Sequence, residues 1–370
     1  MLYKIRFECI FCGNIINKSF FKEDKYIYIS SNICEKISNT NIPYNVLSCN
    51  NCGCYQNKYL GNIDLVYNDN HNNVIISDIW IKHYDDFYKF IIDSKKILNN
   101  FNILEIGAGN NYIVNLFYKN NYNNYTILEP VITNKIEGVN YISGWLEEYT
   151  VDKQFDITIL SHVFEHLYYP KDLFKIKSRY IALSIPNIPK YLDNFILNFL
   201  NIEHTYYFEE DHIITLFNNN KYKLINKLYF QNHSIFLLFE NDSELKTISY
   251  SKMEINTIDK KFDLYFNNIF KLIDNINNYT ISNNKKFAIF PGNMYIQYLI
   301  CLGLNTDKIK YFYDNNINKL DKYLYGTNII CKNLNFYIEN NEYEIILLGF
   351  LYNQEIQEIL EKNNIKYYMP

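Results

Sequence analysis

Leu104-Glu105-Ile106-Gly107-Ala108-Gly109-Asn110-Asn111 is the stretch that decides the fold. An apolar run ends in two spaced glycines, and a helical pattern, Tyr112 to Tyr118, follows at once. Lacking side chains, Gly107 and Gly109 let the chain turn tightly and let a ligand approach the backbone. The next apolar run, 125–129, ends on Glu129. A carboxylate at the end of that second strand can accept both hydrogen bonds of a ribose diol, as in nucleotide-binding α/β folds. The glycines themselves follow a strand expected at 102–106, and further strands are expected at 139–142, 155–160 and 180–185. A helix is expected before them, Ile79 to Leu98, with Trp80, Tyr84, Phe87, Phe90 and Ile91 on one face. A last pair, 222–230 and 234–240, flanks Gln231, Asn232 and His233 and reads as a hairpin. Strands spaced by helices imply a parallel sheet covered on both faces, to which the hairpin adds one antiparallel strand. Such a sheet binds ligands beyond the carboxyl ends of its strands.

The turn also excludes a ligand class. A dinucleotide loop wants a third glycine three residues after Gly109, where Tyr112 stands. Glu105 puts negative charge at the strand end, which disfavours a diphosphate and favours a cation such as the amino group of S-adenosylmethionine (SAM).

Composition frames this core. The 370 residues suggest two or three domains, and 48% apolar content supplies a sizeable core. A net charge of −4 and no long basic run argue against a nucleic-acid partner. No run of 18 apolar residues suggests a membrane span, and the start lacks a signal-peptide layout, so a cytoplasmic site is expected. The chain is rich in Asn and holds 37 Tyr and 26 Phe. That bias fits an A- and T-rich genome, so aromatic density alone says little of function. Three sections emerge: 1–60, holding six of the eight cysteines; 61–245, the strand–helix alternation above; and 246–370, a smaller α/β section.

In the first section Cys9 and Cys12, then Cys49 and Cys52, form two C-x-x-C knuckles, each followed by glycine (Gly13, Gly53). Four thiolates make a closed, tetrahedral, structural Zn²⁺ site with no open position for chemistry. Reduced buried thiols or a redox pair are the alternative. Cys34 and Cys54 are spares, and Cys301 and Cys331 read as core. His162, Glu165 and His166 also raise the possibility of a metal, but capping or packing of a short helix is the simpler reading of Glu165 and His166.

The ordered set LEIGAGN, ILEP, SGWLEEY, FDITILSHVFEHLYYP and LSIPN resembles that of class I SAM-dependent methyltransferases. The resemblance implies that Glu105, Gly107 and Gly109 meet the methionine end and Glu129 the ribose. It puts Trp145 and Leu146 beside the adenine, and Ser161 and His162 on the methionine and substrate side. Asn111 stands at the family's third glycine; asparagine tolerates the same left-handed backbone. Together with the cysteine module and the C-terminal motifs (Phe287 to Asn293, Tyr311 to Asn316, Lys322 to Thr327, Glu344 to Leu348), the chain is similar to the zinc-containing sugar C-methyltransferases of nucleotide-linked keto-deoxysugars. That resemblance implies a class I methyltransferase Rossmann-like sheet with an N-terminal four-cysteine zinc module and a smaller C-terminal α/β Rossmann-like domain. It also implies SAM and Zn²⁺ as cofactors and a nucleotide sugar as small-molecule partner. The family's base, a histidine in an EH-x-x-YF stretch, corresponds to His204, with Glu203 orienting it or shaping the pocket. Two departures stand out: Asn201 replaces a tyrosine, and Tyr67 to Ser77 lacks the family's tyrosine pattern. An O- or N-methyltransferase acting on a glycan or small metabolite, and a non-catalytic scaffold, are the alternative readings.

Overall fold

The computed structural model describes residues 2–28, 41–67, 78–94, 97–132, 134–149, 153–196, 199–250, 255–290, 292, 294–314, 317–348 and 353–370. Cys34, the stretch 68–77, Pro291, Asn293, Asn315 and Asn316 lie outside these residues.

The central sheet has seven strands: β1 (Ile103–Ile106), β2 (Tyr125–Glu129), β3 (Asn140–Ser143), β4 (Phe155–Ser161), β5 (Ser178–Pro186), β6 (Tyr222–Phe230) and β7 (Ser234–Asn241). Their order is β3-β2-β1-β4-β5-β7-β6, with β7 antiparallel to β5 and β6 returning beside it. This is the class I methyltransferase arrangement, and each strand falls within a few residues of its expected place. The central strands are buried on both faces, as their continuous Ile- and Leu-rich runs require. The helix Asp78–Asp93 buries His83, Phe87, Tyr88, Phe90 and Ile91. It ends earlier than its apolar spacing implies, where the Ser94 hydroxyl bonds the Ile91 carbonyl. The order reverses between β1 and β4, so the loops after β1, β2, β3 and β4 share one crevice.

The N-terminal section is not a separate bead. Its strands Ser19–Ile27, Asn41–Ser48 and Tyr55–Asn57 form an antiparallel sheet whose fourth strand, Tyr206–Tyr207, comes from the methyltransferase-like section. Asn57 ties the seam: its N–H bonds Thr205 O, and its side-chain amide donates to Asn201 O and His204 O. Arg6, buried, donates to Thr205 O and Tyr168 O.

The C-terminal section carries five parallel strands in the order 330–332, 309–313, 286–290, 343–347, 367–368. The long helix Ile255–Ser282 joins it to the rest. Phe262, Tyr265 and Ile269 of that helix share one core with Tyr26, Tyr44, Phe199 and Phe312. Gly292, in the glycine turn here, packs tightly against its neighbours. A Cβ on Gly292 would lie 1.7 Å from the Phe312 ring, and the Gly292 carbonyl accepts from Lys319, itself paired with Asp314 at 2.6 Å.

Candidate functional site

The loop after β1 has the backbone its glycines foretell. Gly107 (φ 71°), Gly109 (φ 54°) and Asn111 (φ 61°) all sit in the left-handed region. Asn111 thus does at the third position what a glycine would, and its side chain donates to Asn134 O. A Cβ on Gly107 would meet Val163 Cγ2 at 2.5 Å, while one on Gly109 would meet nothing within 4 Å. Gly107 is therefore needed for packing, and Gly109 faces open space.

Around this loop a cavity is lined by Gly107, Gly109, Glu129, Trp145, Leu146, Ser161 and His162, together with Tyr67, Val163 and His166. Seven of the eight residues assigned to the cofactor by resemblance thus meet at one cavity. Glu129 bends over the loop, its carboxylate accepting the Gly109 N–H at 3.1 Å. Ser161 Oγ is buried with no hydrogen-bond partner among the described residues, a polar atom left for a ligand.

Glu105, the eighth, is not among the lining residues. Alternation along β1 turns it away from the side chain of Ile106, so it sits 1% exposed beneath the loop and accepts from Tyr125 Oη at 2.8 Å. Burial, opposed by that hydrogen bond and helped by Glu129, pushes its carboxyl up to about 8.

After β4 the chain takes an unusual step. His162 has φ 52°, a conformation costly for a non-glycine residue and typical of functional sites. Its Nδ1 meets Glu165 Oε1 at 3.0 Å and its Nε2 meets Ser234 Oγ at 2.8 Å. The short helix Phe164–His166 then brings Glu165 and His166 toward His204. The Glu165 carbonyl accepts the Thr205 N–H, and the His166 and His204 rings lie 4.8 Å apart, edge to face. His204 Nδ1 lies 2.9 Å from the Phe199 carbonyl, so it is the protonated nitrogen, and Nε2 carries the lone pair. Burial lowers the His204 pKa, so the imidazole is neutral near pH 7. Glu203 is buried, 4.0 Å from His166 Nδ1. Asn201, at the position of the family's tyrosine, accepts the His204 N–H at 2.6 Å and so shapes the turn.

Sequence reasoning missed one residue here and set aside another. Tyr67 bonds His166 Nδ1 at 2.7 Å and lies 5.6 Å, ring to ring, from Trp145. It opens a stretch that matched no family pattern, so only its neighbours in space reveal it. Glu165, which its sequence context makes a cap, is a buried carboxylate beside three imidazoles. Burial alone would raise its pKa; His162, His166 and His204 reverse the sign and hold it down to about 2.

Behind the cavity, Trp80 lies 4.9 to 5.0 Å from the rings of His83, His162 and His233. Burial first, then neighbouring imidazoles, lowers His83 to about 2; burial and His162 lower His233 to about 3. The unfolded chain binds protons at these imidazoles below about pH 6.5, and the folded chain refuses them. Stability is therefore lost as pH falls from 6.5 toward those folded values. Glu105 acts with the opposite sign: its raised pKa stabilises the folded chain at lower pH, an effect lost as pH rises from about 4.5 through 8. In the Glu105→Gln protein, urea unfolding free energy is expected to fall by at least about 3 kcal/mol from pH 7.5 to 5.5, ~1.4 kcal/mol from each of His83 and His233, with His204 and His212, also lowered by burial, acting in the same direction. The unsubstituted protein should show a much flatter profile. Equal slopes would mean that the buried histidines or Glu105 do not hold these protonation states.

The four cysteines of the knuckles converge, every sulfur within 4.8 Å of the others. Cys9 Sγ to Cys52 Sγ is 3.5 Å and Cys12 Sγ to Cys49 Sγ is 3.6 Å, against about 3.8 Å for the edge of a tetrahedron with Zn–S bonds of about 2.3 Å. Gly13 and Gly53 take φ 76° and 78°, and their N–H groups bond Cys9 O and Cys49 O. Cys54 points elsewhere, toward the carbonyls of Tyr55 and Tyr207. Chemistry and spacing fit a closed zinc site. Among the described residues no helix is long and apolar enough to cross a membrane.

No protein-family model matches the chain, and no curated protein matches it. Solved structures do resemble part of it. The 1,6-didemethyltoxoflavin-N1-methyltransferase of Burkholderia thailandensis, with bound S-adenosylhomocysteine, is 10% identical over 45% of this chain and 82% of that one, at a TM-score of 0.35. Magnesium protoporphyrin IX methyltransferase of Synechocystis PCC 6803 is 9% identical over 46% and 90%, at 0.36. The N-methyltransferase NodS of Bradyrhizobium japonicum is 10% identical over 48% and 94%, at 0.35. The fold rests on strand order and direction, independently of these likenesses.

Proposed function

We propose that this protein is a SAM-dependent methyltransferase acting on a small molecule, and that its acceptor is a nucleotide-linked keto-deoxysugar methylated at carbon. One observation carries the reading: Gly107, Gly109, Glu129, Trp145, Leu146, Ser161 and His162, drawn from four successive strand ends, line one cavity that closes on His166, next to His204. In this proposal Glu129 exchanges the Gly109 N–H for the ribose diol, and Trp145 and Leu146 flank the adenine. Gly107, Gly109, Ser161 and His162 border the methionine, with Glu105 acting from behind the loop. One Zn²⁺ on Cys9, Cys12, Cys49 and Cys52 is structural.

When bound, SAM supplies a methyl group already activated by its sulfonium. The protein's remaining tasks are alignment and proton removal. His204 Nε2 takes the proton from the carbon beside the keto group. The electron pair left there forms the new bond to the methyl carbon as the sulfonium bond breaks, releasing S-adenosylhomocysteine. Glu203 shapes the pocket beside His166. Tyr67, hydrogen-bonded to His166, stands where a developing enolate oxygen could be met.

Methyl transfer from SAM to a panel of nucleotide-linked keto sugars, with mapping of the methylated atom, tests this. His204→Ala is expected to slow the reaction by at least ~100-fold, the usual weight of a general base. A rate within a few-fold of the unsubstituted protein would remove His204 from that role. A product methylated at oxygen or nitrogen would keep the methyltransferase and replace the carbon acceptor.

A further inference from the structure

Glu165, His166 and His204 each offer one ligand atom, and the three atoms lie within 4.8 Å of one another. The two segments that supply them, 164–166 and 204–205, are tied by the Thr205 N–H on the Glu165 carbonyl. One polar atom of each residue is already held. His204 Nδ1 is committed to the Phe199 carbonyl, His166 Nδ1 meets Tyr67 Oη at 2.7 Å, and Glu165 Oε1 meets His162 Nδ1 at 3.0 Å. This is how metal-ligating imidazoles and carboxylates are oriented, the second nitrogen or oxygen being fixed by a neighbour. Glu165 is 1% exposed, and its Oε2 is buried with no hydrogen-bond partner among the described residues. A buried carboxylate oxygen without a partner is costly and calls for a ligand.

We propose that Glu165, His166 and His204 bind one divalent transition-metal ion, separate from the ion at the four cysteines. Two imidazoles and one carboxylate suit ions such as Mn²⁺, Fe²⁺, Co²⁺ or Zn²⁺ and leave positions open toward the cavity that His166 lines. Bonds of about 2.1 Å separate neighbouring ligand atoms by about 3 to 3.4 Å, so the triad closes on the ion by about an ångström. The ion takes the Nε2 lone pair of His204. It therefore competes with the proton at that nitrogen, and methyl transfer with His204 as base runs on the ion-free form. The binding site itself stands on geometry; only this consequence rests on the methyltransferase reading.

Mn²⁺ is the probe, because it does not compete for a thiolate site. Electron paramagnetic resonance of the full chain, titrated with Mn²⁺, is expected to show one bound ion. Glu165→Gln and His204→Gln should each weaken it by at least about tenfold, while zinc content and the urea midpoint stay near those of the unsubstituted protein. Two substitutions on different segments guard against one that unfolds the loop. No stoichiometric Mn²⁺ binding, or binding indifferent to both substitutions, overturns the site. Methyl transfer should slow as Mn²⁺ fills the site. Acceleration instead would keep the ion and take the base role from His204. S-adenosylhomocysteine binding without Mn²⁺ binding refutes the ion alone; Mn²⁺ binding without S-adenosylhomocysteine binding refutes the cofactor reading alone.

Discussion

Cys49→Ser protein is expected to retain no zinc, to unfold about 3 to 5 kcal/mol more easily, and to lose methyl transfer together with the metal. Structural zinc is worth ~10–16 kcal/mol in isolated zinc-finger peptides, which are unfolded without it. Here the loss is smaller because the section is also held by a core it shares with the rest of the chain, in which Tyr26, Tyr44 and Tyr55 are buried with Phe199, Phe262 and Tyr265. The activity loss follows from the seam. Cys49 and Cys52 lead directly into strand Tyr55–Asn57, which pairs with Tyr206–Tyr207, and Asn57 holds the carbonyls of Asn201 and His204. His212 adds a second tie, its Nε2 lying 2.7 Å from the Cys52 carbonyl. Relaxing the knuckle thus relaxes the turn that aims His204. Zinc analysis, urea melts and rate measured on one preparation check all three parts. A variant that loses zinc but keeps full rate would show that the module does not position His204.

The second large effect separates the two glycines of the loop. Gly107→Ala is expected to destabilise the fold by about 2 to 4 kcal/mol, combining left-handed strain with overpacking against Val163. Val163 sits between His162 and Glu165, so the push reaches a proposed cofactor neighbour and a proposed metal ligand as well. Gly109→Ala carries only the strain, about 1 kcal/mol, since nothing lies within 4 Å of its Cβ. Its methyl group instead stands where the cofactor would pass. Urea midpoints should fall much further for Gly107→Ala, while Gly109→Ala should mainly weaken binding of S-adenosylhomocysteine. Equal midpoints for the two would contradict the packing of the loop.

The central sheet was legible because its inner strands are doubly buried, so each of those reads as an apolar run, and because Asn and Gly punctuate the turns. The loop was legible for the same reason: positive φ leaves its mark as Gly107, Gly109 and Asn111. The four cysteines were legible from spacing alone, since a knuckle needs only two residues between its ligands. What escaped was everything fixed by contact between distant segments. Tyr67 carries no local signature, and the run His162, Glu165, His166 gives no hint of His204, which joins it only after the chain has folded. Glu105 lies deeper than its place at a strand end suggested, because alternation turns it under the loop. The merging of 206–207 into the N-terminal sheet was equally hidden, because a two-residue strand has no period to read.

The most direct measurement is binding of S-adenosylhomocysteine to the purified full chain, by native mass spectrometry and calorimetry, alongside Glu129→Ala. One nucleoside per chain, bound at least tenfold more weakly by Glu129→Ala, is the predicted result, since a carboxylate on a ribose diol makes two charge-assisted hydrogen bonds worth about 1.5–3 kcal/mol each. No binding, or binding that Glu129→Ala leaves untouched, would contradict the assignment of this cavity to SAM.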